Sequence, residues 1–266
     1  MKILSHFTAK PSYYNTRAPY YDGLNQIHSR AINEVLEKIL KEHRISTVLD
    51  LTCGTGSQVF WLLEAGFDVV GVDINQRMLK IAQQKAKQKN WNVPLFKGDC
   101  RNSFVGEFDA VITIFNAIGH LTREDFQQTI RNINLNLKQG GIYIFDIFNL
   151  DYLKHGENIT KLTVDKITTS DKMRVREIQF STITDDGILA SYSTYVQQAA
   201  SNRPLKISKG YGNTLQCYTA EELQIMLKQN GFTILKQIGV NGEKFSPDKT
   251  ERILTVAKKM KSCTQK

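Results

Sequence analysis

The sequence lacks the features that mark membrane-spanning, disulfide-rich and metal-binding proteins. No segment approaches the roughly 18 consecutive apolar residues of a membrane-spanning helix, and no apolar run precedes Lys10-Pro11, so we expect neither a membrane span nor a signal peptide. The four cysteines are scattered, without a CxxC pair or the spacing of metal ligands. They predict free thiols in a reducing cytoplasm and no metal site.

A surplus of positive charge is the compositional feature that would favour nucleic acid as a partner. The chain carries 35 lysines and arginines against 26 acidic residues, a net charge of +9. Four of the lysines fall in the last nine residues, and others lie between Lys80 and Lys89, where a solvated helix face would carry them. The charge is therefore weak support, and we do not expect a nucleic acid partner from it.

Apolar segments alternate with helical patterns through most of the chain. Ile32–Leu40 has apolar residues at helical spacing, and the short apolar run of residues 47–51 follows it. Strands of this kind, separated by helices, predict a parallel sheet covered by helices on both faces. The predicted strands are 47–51, 68–72, 93–96, 109–114, 142–145, 233–240 and 252–258.

Residues 160–216 interrupt this alternation. Residues 173–184 and 188–196 alternate between polar and apolar side chains around the turn Asp185-Asp186-Gly187, which predicts an antiparallel hairpin in a small added sheet. A capping box at Thr219–Glu222 then begins a helix that returns to the main pattern. The insertion therefore lies inside the α/β domain.

The expected organisation has three parts. Residues 1–30, rich in tyrosine and punctuated by proline and glycine, predict an arm or lid over the main domain. Residues 31–150 and 217–260 form the main α/β domain. Residues 151–216 form an antiparallel β insertion, which we expect to cover the substrate pocket.

The loop after the first predicted strand has the composition of a ligand-binding turn. It reads Asp50-Leu-Thr-Cys-Gly54-Thr-Gly56, so the backbone can approach a ligand closely, and the N-terminus of the next helix presents free N–H groups. A dinucleotide fingerprint needs a third glycine where this chain has Val59. Asp50, ahead of the glycines, suits a positively charged amino group such as that of S-adenosylmethionine.

Aspartates end the next two predicted strands. Asp73 follows Gly56 by 17 residues, where its carboxylate can accept both hydroxyls of a ribose, and Asp99 can accept the amino group of adenine. The carboxyl ends of parallel strands share one edge of a sheet, so these groups are expected to converge on the glycine loop. The sequence therefore predicts a nucleoside-binding site.

These residues resemble the motifs of the class I S-adenosylmethionine-dependent methyltransferases. Val48–Gly56 resembles the first motif of that family and Gly71-Val-Asp73 its second, and Gly98-Asp99 and the strand at Asp109 follow in the same order. The resemblance covers residues 20–150. It implies a Rossmann-like fold with a seven-stranded, mostly parallel sheet between two layers of helices. It also implies S-adenosylmethionine as the cofactor and S-adenosylhomocysteine as its product.

A narrower resemblance extends to two groups of N-methyltransferases. Tyr20–Gly23, Ile114–His120 and Asn149–Tyr152 resemble glycine N-methyltransferase, and Gly98–Leu121 resembles the aminosugar N,N-dimethyltransferases. The resemblance implies a small-molecule acceptor whose nitrogen receives the methyl group by in-line displacement.

The candidate site residues combine the strand ends with positions that the resemblance implies. Tyr20 would belong to the lid, Arg30 would bind the carboxylate of the methionine part, and His120 would accept a proton from the amine or orient it. Tyr20 and His120 are the candidate catalytic residues. The candidate cofactor-binding residues are Tyr20, Arg30, Asp50, Thr52, Gly54, Gly56, Asp73, Ile74, Met78, Asp99, Cys100, Ile114, Asn116 and His120.

Two departures from glycine N-methyltransferase bear on the acceptor. Phe148 stands where those enzymes carry an arginine that holds the substrate carboxylate, and the tyrosine pair that they place early in the insertion is absent around Asn158–Lys161. We therefore do not expect glycine as the acceptor. An uncharged or bulkier amine fits a phenylalanine better.

Two other functions remain open from the sequence. The first is methylation of RNA or another macromolecule. Enzymes that methylate base amines in RNA or DNA carry an Asn/Asp-Pro-Pro-Tyr/Phe run where this chain reads Phe115-Asn-Ala-Ile. Enzymes that methylate a cytosine carbon carry a cysteine after a proline in that region, which this chain lacks. The second is a protein that binds S-adenosylmethionine or S-adenosylhomocysteine without catalysis. Methylation of nitrogen or of oxygen, and the oligomeric state, also stay open.

Overall fold

The computed structural model describes residues 5–16, 18–156, 159, 165–170, 173–199, 206–209 and 213–260. Its strands are β1 (Thr47–Asp50), β2 (Asp68–Asp73), β3 (Leu95–Lys97), β4 (Phe108–Thr113), β5 (Leu137–Phe148), β6 (Asp165–Ser170), β7 (Met173–Ile183), β8 (Ile188–Ala199), β9 (Lys206–Lys209), β10 (Asn213–Gln216), β11 (Phe232–Gly239) and β12 (Arg252–Lys259). Its α-helices are α1 (Tyr21–Glu42), α2 (Ser57–Glu64), α3 (Gln76–Gln88), α4 (Arg123–Leu135), α5 (Leu150–Lys154) and α6 (Ala220–Gln229). Short 3-10 helices span Ala18–Tyr20 and Ala117–His120.

Seven strands form the main sheet in the order β11-β12-β5-β4-β1-β2-β3. β1 pairs in parallel with β2 and β4, and β12 pairs antiparallel with both β5 and β11. The predicted seven-stranded, mostly parallel sheet is thus confirmed. The strand order reverses between β1 and β4, which opens a crevice at their carboxyl ends.

Helices cover both faces of this sheet, because successive strand residues point to opposite sides and nearly all are apolar. Val48 packs with α1, α2 and α3, whereas its neighbour Leu49 packs with α4 and α6. The two core layers are anchored by fully buried residues such as Leu36 on one side and Phe126 on the other. Among the helices that the structure describes, none combines the length and apolar content needed to cross a membrane.

The insertion forms a second, antiparallel sheet. β7 and β8 pair along their whole length around the predicted Asp185–Gly187 turn, and β6, β9 and β10 add to this hairpin. Leu150, Leu153 and Leu189 form a small core between the insertion and the end of β5. The predicted hairpin is confirmed.

The first long helix begins earlier than the sequence pattern indicates. α1 begins at Tyr21, ten residues before the expected boundary at residue 31. Its first turn is held by tertiary contacts, since Asp22 accepts a hydrogen bond from Thr55 Oγ1 at 2.6 Å and pairs with Lys85 at 2.5 Å. Residues 21–30 are mostly polar and include Gly23, so the helical spacing of Leu24 and Ile27 is only a weak signal in the sequence. We use the name "arm" for residues 5–16.

Candidate functional site

A cavity of about 810 Å3, including its open mouth, lies at the crevice. Its walls come from the loops after β1, β2, β3 and β4 and from the arm. The structure brings nine of the predicted site residues to these walls, as expected from their positions at the ends of neighbouring strands. They are Thr52, Gly54, Asp73, Ile74, Met78, Asp99, Cys100, Ile114 and His120.

The glycine loop has the backbone geometry that its sequence predicts. Gly54 and Gly56 have φ angles of 54° and 87°, in the left-handed region that side chains disfavour. A Cβ atom on Gly56 would also lie 2.5 Å from the ring of Phe60 in α2. Only glycine permits this close turn from β1 into α2.

Asp73 ties the end of β2 to the glycine loop. Its Oδ2 accepts the N–H of Gly54 at 2.8 Å, and its Oδ1 accepts the N–H of Asn75 at 2.7 Å. Burial raises the pKa of Asp73, while these two bonds lower it, so burial outweighs them. Each oxygen keeps a further acceptor site toward the cavity, which is the arrangement that a pair of ribose hydroxyls requires.

Asp50 lies behind the glycine loop and not on the cavity wall. Its side chain is buried, and its Oδ1 accepts the N–H of Thr52 at 3.2 Å. Burial, with a smaller contribution from Asp73, raises the pKa of Asp50 to about 8, so the carboxyl is protonated at neutral pH. Its Oδ2 is buried and has no hydrogen-bond partner among the described residues, and its contact with a charged amino group stays a prediction.

Asp99 reaches the cavity already paired with Arg101. Arg101 donates from Nε to Oδ1 of Asp99 at 3.0 Å and from Nη2 to Oδ2 at 2.7 Å, and its backbone N–H also bonds Oδ1 at 3.0 Å. Burial would raise the pKa of Asp99, but these hydrogen bonds outweigh it and lower the pKa. Asp99 is therefore an ionised acceptor at neutral pH.

The loop after β4 holds an unusual backbone. Phe115 and Asn116 are consecutive non-glycine residues with φ angles of 67° and 55°. The buried carboxylate of Asp146 accepts both of their N–H groups, at 2.7 and 3.2 Å, and pairs with Arg252 in β12. The ring of Phe115 lies on the cavity wall, and Arg252 lies 5.4 Å from its centre. Asp146 thus fixes a strained loop beside the cavity.

An aromatic cluster surrounds His120 at the end of this loop. The hydroxyl of Tyr14 lies 2.6 Å from Nε2 of His120, and the ring of Tyr13 lies 5.0 Å from the imidazole. Tyr21 packs edge-on against Tyr14 at 5.6 Å. Burial, then the negative charges of Asp73 and Asp146, raise the pKa of Tyr21 to about 12, so its hydroxyl stays protonated.

The arm lines part of the cavity and is hydrogen-bonded at two points to the loops around it. On one side, the N–H of Ala9 donates to the carbonyl of His120 at 2.8 Å. On the other, the side-chain amide of Asn75 donates to the carbonyl of Pro11 at 2.7 Å. Lys10, between these attachments, and Tyr13 and Tyr14, after the second, lie on the cavity wall.

Five predicted residues are not on the walls that the structure describes. Arg30 is exposed on α1, pairs with Glu34 at 2.9 Å and is not on the described cavity wall, so its contact with a ligand carboxylate stays a prediction. The side chain of Tyr20 lies outside the described residues, so its predicted role stays a prediction; the tyrosine that contacts His120 in the described structure is Tyr14. The buried residues Asp50 and Gly56, and Asn116, stand behind the wall.

The sequence reasoning missed several cavity residues. The tyrosine-rich composition of the arm was the signal for Tyr13 and Tyr14, but it did not distinguish them from Tyr20. Arg101 stands two residues after Asp99, and no pattern in the sequence indicates that it pairs with Asp99 on the cavity wall.

The polar groups present fit S-adenosylmethionine. Thr52 Oγ1, on the wall, and Asn116 Oδ1, just behind it, are buried and have no hydrogen-bond partner among the described residues. Together with the carboxylates of Asp73 and Asp99 they offer hydrogen bonds to a nucleoside and an amino acid, while Met78 and Ile114 supply apolar contact.

Several known proteins with related sequences and structures are methyltransferases. Residues 48–141 match the family model of a methyltransferase domain. The glycine/sarcosine N-methyltransferase of Parasynechococcus marenigrum is 38% identical over 123 residues, which are 45% of this chain and 44% of that protein. The aligned part thus spans less than half the length of that relative.

Two solved structures share the fold over nearly the whole chain. An S-adenosylmethionine-dependent methyltransferase from Clostridium acetobutylicum has a TM-score of 0.74 at 22% identity and covers 93% of this chain and 99% of its own. The sugar N-methyltransferase KedS8 from a Streptoalloteichus species has a TM-score of 0.72 at 18% identity, with 98% of both chains covered. Residues 48–141 thus match a methyltransferase domain, and the chain as a whole has the fold of the S-adenosylmethionine-dependent methyltransferases.

Proposed function

We propose that this protein transfers a methyl group from S-adenosylmethionine to the nitrogen of a small, uncharged amine. The observation that carries the proposal is the 2.6 Å contact between the hydroxyl of Tyr14, in the arm, and Nε2 of His120, because both residues line the cavity and together can accept a proton. S-adenosylmethionine supplies an electrophilic methyl group on a sulfonium. A nitrogen–carbon bond forms as the carbon–sulfur bond breaks, and the amine loses one proton.

In this proposal the strand ends hold the cofactor. Asp73 accepts the two ribose hydroxyls, and Asp99 accepts the amino group of adenine. Thr52 and the backbone of Gly54 contact the methionine part, since both lie on the wall and Thr52 Oγ1 has a free hydrogen-bonding site in the described structure. The rings of Tyr13 and Tyr14 stabilise a nearby sulfonium charge, with cation–π attractions of about 0.5–2 kcal/mol.

His120 and Tyr14 act together on the proton of the amine. When Nε2 of neutral His120 accepts the hydrogen bond from the Tyr14 hydroxyl, the phenolic oxygen can still act as an acceptor, here for the N–H of the amine. The amine proton can then pass to Tyr14 while the Tyr14 proton passes to His120. The larger contribution comes from alignment in a site that excludes water, which can supply roughly 7–11 kcal/mol.

The lining of the cavity supports an acceptor without a carboxylate. Phe148 packs with Leu150 and Leu153 in the small core and is not on the described cavity wall. Of the described wall residues, the cations are Lys10 and Arg101, and Arg101 is already paired with acidic side chains. Near His120 the wall is aromatic.

The arm and the insertion support a small acceptor over a polymer. The arm lines part of the cavity and is hydrogen-bonded at two points to the loops around it, and His6 in the arm also bonds Thr214 in β10 of the insertion at 2.9 Å. We propose that residues 151–216 act with the arm as a roof. The described cysteines are free thiols, which supports a reducing compartment such as the cytoplasm.

The test uses S-adenosylmethionine labelled at the methyl group, offered with the protein to a cell extract separated by size. Label in an amine of the low-mass fraction supports the proposal, and mass spectrometry of that peak identifies the acceptor. Label in RNA or protein refutes the role of the insertion as a roof. If the protein binds S-adenosylhomocysteine but transfers the label to no fraction, it is a binding protein without catalytic activity.

Variants then test the proton-accepting pair. Tyr14→Phe and His120→Ala are expected to lower turnover at least tenfold more than they lower affinity for S-adenosylhomocysteine. Tyr192→Phe, on an exposed side chain of β8, is the matched control and should change neither. Equal loss of turnover and affinity would make His120 a binding residue only.

A further inference from the structure

Arg101 stands between two carboxylates on separate elements. Besides its two bonds to Asp99 at the end of β3, its Nη1 donates to Oδ2 of Asp125, in the first turn of α4, at 2.9 Å. All three side chains are partly buried. One guanidinium therefore joins the strand end that would hold adenine to the beginning of α4.

The same oxygen of Asp125 also binds the arm. The hydroxyl of Thr8 donates a short hydrogen bond to Asp125 Oδ2, and Thr8 Oγ1 accepts the N–H of Thr122 at 3.0 Å. A continuous chain of hydrogen bonds thus runs from Asp99 through Arg101 and Asp125 to Thr8, which is adjacent to the attachment of Ala9 on the cavity wall.

A purely local role in α4 does not require this arrangement. Thr122 already caps the helix by accepting the N–H of Asp125 at 3.2 Å, and an acidic residue in the first turn favours the helix without a cation. Without Arg101, the carboxylates of Asp99 and Asp125 would share this corner with no cation bonded to either, among the described residues. The guanidinium holds both in fixed directions, because its planar fork bonds them from different nitrogens.

We infer that Arg101 is a positioning residue that couples the adenine end of the cofactor site to closure of the arm. The inference rests on the proposed assignment of Asp99 to the adenine amino group. A ligand that fixes Asp99 also fixes Arg101, Asp125 and then Thr8, so the arm closes more firmly when the cavity is filled. Coupling of this kind is reciprocal, so a loosened arm must also weaken binding of the nucleoside.

The experiment measures two properties of the full chain: affinity for S-adenosylhomocysteine by calorimetry, and hydrogen exchange of the amides in the arm with and without that ligand. The variants are Arg101→Met, Thr8→Val and the double variant. Arg77→Met is the matched control, because Arg77 also bonds the arm, at the carbonyl of Asn15 at 3.1 Å, but has no bond to Asp99.

We expect Arg101→Met to weaken affinity at least about tenfold and to abolish the ligand-dependent protection at Ala9. Adding Thr8→Val to Arg101→Met should cost less than twofold more, because the chain is already broken. Adding Arg77→Met to Arg101→Met should multiply the two losses of affinity, since the contact of Arg77 with the arm is independent of Arg101.

Three results would overturn the inference. If the losses of affinity caused by Thr8→Val and Arg101→Met multiply in the double variant, Arg101 acts at Asp99 alone. The same conclusion follows if the ligand still protects the amide of Ala9 from exchange in Arg101→Met. Failure of the wild type to bind S-adenosylhomocysteine would refute the proposed function together with the inference. If Arg101→Met does not fold, Arg101→Lys replaces it, because an ammonium keeps the charge but cannot bond both carboxylates as a fork.

Discussion

Asp146 is expected to be one of the most sensitive positions in the fold, although it lies behind the cavity wall. Its carboxylate is fully buried and has four hydrogen-bond donors: the N–H groups of Phe115 and Asn116 and two nitrogens of Arg252. Asp146→Ala removes all four acceptor contacts at once. It also leaves Arg252, whose side chain is only 13% exposed, without its partner.

The magnitude follows from the groups left unpaired. Removing one partner of a buried ion pair destabilises a protein by about 3–5 kcal/mol, and the two backbone N–H groups belong to residues with positive φ that no longer have an anchor. We therefore expect Asp146→Ala to lower the free energy of unfolding by about 3–5 kcal/mol. Asp146→Asn keeps one acceptor oxygen and should lose roughly half of that.

The assay is urea unfolding at neutral pH, with the midpoint compared at constant slope. The double variant Asp146→Ala with Arg252→Met should lose less than the sum of the single variants, because the unpaired cation is gone. A loss below about 1 kcal/mol for Asp146→Ala, or an additive double variant, would refute the argument that this pair anchors the loop after β4.

Three further predictions concern the cofactor half of the cavity. Asp73→Ala should weaken affinity for S-adenosylhomocysteine at least about 100-fold with unchanged circular dichroism, whereas Asp68→Ala, exposed at the start of the same strand, should not; equal affinities would contradict the ribose assignment. Gly56→Ala should destabilise the fold by about 1–3 kcal/mol more than Gly66→Ala in denaturant titrations, since both have positive φ but only Gly56 lacks space for a Cβ; equal losses would contradict the steric argument. The pKa of Asp50 is raised to about 8 in the folded state, so between about pH 4 and 8 ionisation of this carboxyl stabilises the unfolded state only. The stability advantage of Asp50→Asn over the wild type should therefore grow with pH over that window and then level off. A stability difference independent of pH would contradict this reasoning.

The sequence was sufficient where the signal is local. The glycine turn, the aspartates at the ends of β2 and β3 and the capping box at Thr219 each depend on residues within a few positions, and the structure places them as expected. The parallel sheet followed from the same logic, because apolar strands alternating with helices have few arrangements.

The rest depends on contacts between residues far apart in the chain. Tyr14 and His120 are 106 residues apart, as are Asp146 and Arg252, and no periodicity connects either pair. The sequence also could not predict which way the side chain of Asp50 points, since that depends on how the chain leaves β1 and not on the residue type. α1 extends to Tyr21 through tertiary contacts of Asp22 for the same reason.

The insertion leaves and rejoins the main domain at a single junction. Asn149 and Tyr218 form a β-bridge there, and the N–H of Leu150 donates to the carbonyl of Tyr218 at 2.9 Å. Doubling the length of a loop closed at such a junction costs only about 0.6 kcal/mol, so residues 151–216 can be exchanged without displacing β1 or β2. The geometry thus allows the insertion, which we propose to be a roof over the acceptor, to be exchanged or grafted from a relative while the strand ends of the main sheet are kept.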